Sequence, residues 1–112
     1  MSRGQLHLWV AQRVTAAFLA LAVLVHLATI MLAVRGGLSA AEILGRTRGA
    51  ELWFAFYALF ALAAGLHASI GLRNIAGEWW GWRGRGFDLA WLAAGLLTAA
   101  FGIRAAWGLY AA

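Results

Sequence analysis

The stretch VTAAFLALAVLVHLATIMLAV, Val14–Val34, lies between Arg13 and Arg35 and carries no formal charge; its polar breaks are Thr15, His26 and Thr29. A helix needs about 20 apolar residues to cross the hydrocarbon core of a bilayer, and this run is long enough. Two more runs match it. LWFAFYALFALAAGLHASIGL, Leu52–Leu72, lies between Glu51 and Arg73 and is broken by His67, Ser69 and two glycines. Leu89–Ala112 is interrupted by Thr98 and Arg104. These runs predict an all-α integral membrane protein with three transmembrane helices, at about 14–34, 52–75 and 89–110. Residues 1–112 then form one membrane domain, part of a larger helical bundle. Val14–Val34 is too long for the apolar core of a cleavable signal peptide, and Met1–Arg13 reads as a short amphipathic lead-in.

Composition points the same way. Of 112 residues, 64% are hydrophobic and 12% charged, against nearly half apolar and about a quarter charged in soluble domains. The chain has no cysteine, which excludes disulfides, thiolate catalysis and iron–sulfur ligation by this chain. All nine basic residues are arginine, and the net charge is +5. With no soluble face to carry it, this excess suits membrane edges and not nucleic acid. Arg3, Arg13, Arg73, Arg83 and Arg85 fall at one edge and Arg35, Arg46, Arg48 and Arg104 at the other. Five against four favours a cytoplasmic N-terminus by a narrow margin. Arg104 is expected to snorkel to its interface or to meet a buried anion.

Two connections join the runs. In Gly36–Ala50, Ser39 followed by Glu42 fits a capping box and predicts a short interfacial helix. Ala76–Phe87 carries Trp79, Trp80, Trp82, Arg83 and Arg85, the mixture that collects at the membrane–water boundary.

An ionisable side chain inside a span is costly and marks a candidate functional position. His26 and His67 are the two. At helical spacing the face of His67 reads Ala63, Ala64, His67, Gly71, Asn74, Glu78. Small residues a turn above and below leave a shelf beside the imidazole. Such a shelf accepts a porphyrin whose iron meets the ring nitrogen, and it equally accepts a neighbouring helix at close range. His26 shares its face with Leu19, Ala22 and Thr29. Placed from the run centres, the two histidines differ in depth by roughly 10 Å, too far for both to ligate one haem within one chain. His67 then needs a partner histidine from another chain. His26 is either a ligand of a second haem or a helix–helix hydrogen bonder. In the third run, Gly95-x-x-x-Ala99 and Thr98-x-x-x-Gly102-x-x-x-Ala106 are small-residue patterns that predict close packing.

Two stretches carry a resemblance. Trp9-Val-Ala-Gln12-Arg13-Val-Thr15-Ala is similar to Trp-x-x-Gln-Arg-x-Thr-Ala at the start of the first span in the cytochrome b membrane-anchor subunits of succinate dehydrogenase and fumarate reductase, complex II. His67-Ala-Ser-Ile-Gly71-Leu-Arg73-Asn-Ile-Ala-Gly-Glu78-Trp79 resembles that family's His-x-x-x-Gly-x-x-x-x-x-x-Asp-Tyr at the end of the second. With the three spans, the likeness covers essentially the whole chain. It implies haem b with His67 as axial ligand to the haem iron, Arg13 and Arg73 near propionates and quinone, and Glu78 and Trp79 near the quinone, ubiquinone or menaquinone. It implies as partners an iron–sulfur subunit, a flavoprotein subunit, and a second anchor subunit or another copy of this chain, in the lipid of a bacterial inner (cytoplasmic) membrane. The chain holds no catalytic residue of its own for succinate oxidation.

The departures are specific. Trp79 stands where the family has tyrosine, removing a phenolic donor, and Glu78 stands for aspartate. His26 is not a ligand position in the one-haem, two-subunit form, and it resembles the first-span ligand of two-haem anchors. The competing reading is a cofactor-free helical assembly subunit, with both histidines as interhelical hydrogen bonders. A small transporter or channel subunit ranks last, because no inverted repeat is visible and no span carries an acid.

Overall fold

A computed structural model describes residues 1–112 as four helices: α1 (Arg3–Gly36), α2 (Ala40–Thr47), α3 (Glu51–Trp80) and α4 (Arg85–Ala111). There are no strands. The long helices α1, α3 and α4 are each long and apolar enough to span a bilayer, so the chain is a multi-pass membrane protein.

The helices outrun their apolar centres. Ser2 caps α1: its hydroxyl accepts from Gln5 N–H at 3.2 Å, and Gln5 Oε1 accepts from Ser2 N–H at 2.9 Å. This reciprocal cap starts the helix at once. Met1–Arg13 is therefore largely the first turns of α1 and not a separate lead-in, and Gln12 and Arg13 stand on a rigid element. At the other end of the chain's second span, α3 continues to Trp80 before Gly81 turns left-handed (φ 67°). The connection expected over Ala76–Phe87 shrinks to 81–84, with Trp79 and Trp80 on the helix. Between Gly36 and Ala50, the expected short helix forms as α2; Ser39 Oγ accepts from Glu42 N–H at 3.2 Å. Gly49 N–H donates to Tyr110 O at 2.9 Å, tying this connection to the end of α4.

α3 and α4 pack most closely. Gly65 meets Gly95 with no room for a β-carbon: one added at Gly95 would lie 2.6 Å from Gly65 O and from Ser69 Cβ. One added at Gly102 would lie 2.6 Å from Ala61 Cβ. Ser69 Oγ donates to Trp91 O at 2.7 Å across the seam. The contact face of α4 is Gly95, Ala99, Gly102 and Ala106. Thr98 points off it, its hydroxyl donating to Ala94 O at 2.8 Å. The matching face of α3, Ala61, Gly65 and Ser69, is a second small-residue ladder. Only nine residues are buried. The large side chains, such as Leu24, Leu62 and Leu96, face outward, where lipid or neighbouring helices replace a core.

Candidate functional site

The antiparallel pairing of α1 with α3 sets the two intramembrane histidines against hydroxyls of the facing helix. His67 Nδ1 lies 3.1 Å from Thr15 Oγ1. Thr15 is buried, and its oxygen also lies 2.7 Å from Ala11 O and 3.1 Å from Gln12 O one turn earlier. The same register sets His26 against Tyr57, Nδ1 to Oη at 3.1 Å, and Tyr57 Oη lies 3.2 Å from Thr29 Oγ1. The His26 ring also stands edge-on to Tyr57 and Phe60, with centroids at 5.5 and 5.6 Å. His26 thus bridges α1 and α3.

The histidines occupy different levels. Their α1 contacts, Thr15 and His26 itself, are eleven residues apart, roughly 16 Å along the axis. The offset expected from the run centres is thereby present and larger.

His67 opens into a cleft of about 730 Å³ at the end of the bundle that carries the α1 N-terminus. Its lining includes Gln5, Trp9, Gln12 and Arg13 of α1, His67, Arg73 and Asn74 of α3, and Arg83. This volume lies within the usual range of small-molecule sites. Gln12 Oε1 is buried there with no hydrogen-bond partner, an acceptor awaiting a donor. The Arg13 guanidinium lies 5.3 Å from the centre of the Trp9 ring and forms no ion pair. Arg73 is committed differently. Its Nε donates to Asp88 Oδ1 at 2.7 Å and its Nη2 to Asp88 Oδ2 at 3.5 Å, while Nη1 donates to Asn74 Oδ1 at 3.3 Å. A second, almost wholly apolar cleft of about 450 Å³ lies deeper, against Thr15, Phe18, Ala63, Ser69 and Gly95.

Of the residues singled out in the sequence, His67, Arg13 and Arg73 share the polar cleft. Glu78 lies in the adjoining groove with Arg73, Gly77, Arg83 and Asp88. Trp79 is 72% exposed, packed edge-on against Trp80 and outside the cleft. The aromatic ring inside the cleft is Trp9. His26 lines neither cleft.

Asp88 and Tyr57 were not legible as participants from local motifs, and Gln12, though part of the Trp9–Ala16 stretch, carried no role there. Asp88 opens α4 where Arg73 nears the end of α3, so a short helical hairpin sets them opposite each other. Tyr57 follows from register: aligning Thr15 with His67 in an antiparallel pair brings His26 to Tyr57.

The residues are compatible with a haem in two respects, a histidine at the wall of the cleft and a cation without a carboxylate partner beside it; the unpartnered Gln12 Oε1 calls instead for a hydrogen-bond donor. Among known proteins, the family model described as succinate dehydrogenase/fumarate reductase transmembrane subunit matches residues 2–104. No curated protein and no solved structure matches the chain.

Proposed function

Because this chain belongs to the succinate dehydrogenase/fumarate reductase transmembrane-subunit family, we propose that it anchors such a complex in a bacterial inner membrane, ligates haem b through His67 and binds quinone at the cleft beside Arg13. The observation that carries this reading is the meeting of His67, Gln12 and Arg13 in one cleft at the arginine-rich end of the bundle. Bound haem b would supply one-electron storage between the soluble partners and the quinone.

The chain's own residues divide the work. His67 offers Nε2 to the iron. Arg13, free of any carboxylate, donates charge-assisted hydrogen bonds to a propionate or a quinone oxygen. Gln12 Oε1 accepts from a hydroxyl, which a reduced quinone carries and an oxidised one lacks. Trp9 walls the cleft. Arg73, held by Asp88, contributes a fixed positive field more than a free donor. Glu78, in the next groove, would deliver a proton toward the reduced quinone, and Trp79, exposed outside the cleft, would reach it only if a neighbouring subunit closed that side. The exposed Trp80, Trp82, Arg83 and Arg85 at the same end form the docking edge for the iron–sulfur and flavoprotein subunits.

With His26 and His67 at different depths, a second protein ligand to a haem held by His67 would have to come from another chain, a different anchor or another copy. His26 bridges α1 and α3 through Tyr57, and a role for it at a second haem would require that haem to lie at its own, different level.

Isolation through a tag on this chain from its native membrane tests the reading. The expected product contains a flavoprotein and an iron–sulfur protein, reduces quinone with succinate or oxidises quinol with fumarate, and shows a b-type haem spectrum. A chain recovered with neither redox partner nor haem would favour the cofactor-free assembly subunit.

A further inference from the structure

The Thr15 hydroxyl has one proton and two kinds of neighbour. On one side are the backbone carbonyls of Ala11 at 2.7 Å and Gln12 at 3.1 Å; on the other is His67 Nδ1 at 3.1 Å. A carbonyl only accepts, so the shorter contact claims the proton. The oxygen then presents a lone pair to His67, and Nδ1 must donate to it. A neutral imidazole protonated on Nδ1 carries its lone pair on Nε2. That is the form an iron ligand requires.

The same construction recurs at His26. Thr29 Oγ1 donates to His26 O at 2.7 Å, so it accepts from Tyr57 Oη, which in turn accepts from His26 Nδ1. At His67 the hydroxyl that holds Nδ1–H spends its proton on a backbone carbonyl; at His26 the holding hydroxyl, Tyr57, spends its proton on Thr29 Oγ1, whose own proton goes to a backbone carbonyl.

We propose that Thr15 is a positioning residue for His67: it fixes the Nδ1–H tautomer and the ring orientation, and so sets how strongly Nε2 donates to a bound haem iron. The inference rests on the haem reading above. An Nδ1–H that donates to an acceptor makes Nε2 more basic. A more basic ligand favours the ferric state and lowers the reduction potential.

The test uses the intact complex purified from membranes, comparing wild type with Thr15→Val and Thr15→Ser. Valine keeps the shape and removes the acceptor; serine keeps the acceptor. Haem content, the haem midpoint potential and retention of the soluble subunits are read together. The expected result for Thr15→Val is haem held about 10- to 100-fold less tightly and a more positive midpoint potential, with the soluble subunits still bound. Thr15→Ser is expected to restore both haem properties. A Thr15→Val complex with wild-type haem affinity and potential would overturn the proposal while leaving haem ligation by His67 intact. Equal disturbance by serine and valine would also overturn it, by showing that shape and not the hydroxyl matters. A wild-type complex without haem would instead remove the haem reading on which it rests.

Discussion

Arg13 and Arg73 both line the cleft but are held differently. Arg73 spends its guanidinium on Asp88 and Asn74, whereas Arg13 only rests near the Trp9 ring. A charged hydrogen bond to a ligand is worth about 1.5–3 kcal/mol. Replacing Arg13 by Gln is therefore expected to lower kcat/KM for quinone by about tenfold or more, measured on the purified complex with a soluble quinone analogue. Unchanged kinetics would remove Arg13 from the site. Its candidacy was legible in the sequence because it ends an apolar run beside a glutamine. Gln12 stood in the same motif without a role of its own, and its burial against Gly71, with Oε1 unpartnered, is what marks it. For Trp79 the resemblance, through the acid–aromatic pair, implies a place near the quinone, while in this chain alone the ring is 72% exposed beside Trp80.

At the scale of elements, the seam between α3 and α4 holds the hairpin that carries His67. Close approach there comes from Gly65 and Gly95, and a side chain at Gly65 would run into the backbone oxygen of Gly95. Backbone cannot move aside as a flexible side chain does, so Gly65→Val is expected to destabilise the chain by about 1–3 kcal/mol or more. Thr98→Ala, which alters a residue off the seam, is expected to change stability by no more than about 0.5 kcal/mol. Thermal unfolding of the two variants in detergent checks the contrast, and equal effects would contradict the assigned face. The small-residue pattern of the third run was legible, but it offered two faces, one through Thr98 and one through Gly95. Sequence spacing cannot choose between them; the ladder Ala61, Gly65, Ser69 on α3 does. Helix ends were less legible than helix centres. Hydropathy reports where lipid begins, while Ser2 and Gly81 decide where the backbone starts and stops its helical turns.

For the whole molecule, three helices with nine buried residues make no independent core. The outward leucines require lipid or partner helices, and the cleft at the arginine-rich end is open to a neighbouring subunit. That the histidines lie at different levels was readable from run length, but the estimate of roughly 10 Å fell short of the roughly 16 Å that helix register sets; their hydroxyl partners were not readable, because register between helices is a tertiary property. The proposed role is therefore one of assembly: His67 would hold a haem together with a ligand from another chain, while His26 ties α1 to α3. The most direct measurement is the reduced-minus-oxidised optical spectrum of the purified complex, with the haem-to-chain ratio, for wild type, His67→Ala and His26→Ala. The account predicts a b-type signal in wild type, its loss in His67→Ala, and an unchanged ratio in any His26→Ala complex that assembles with its soluble subunits. A b-type signal that survives His67→Ala undiminished would contradict it.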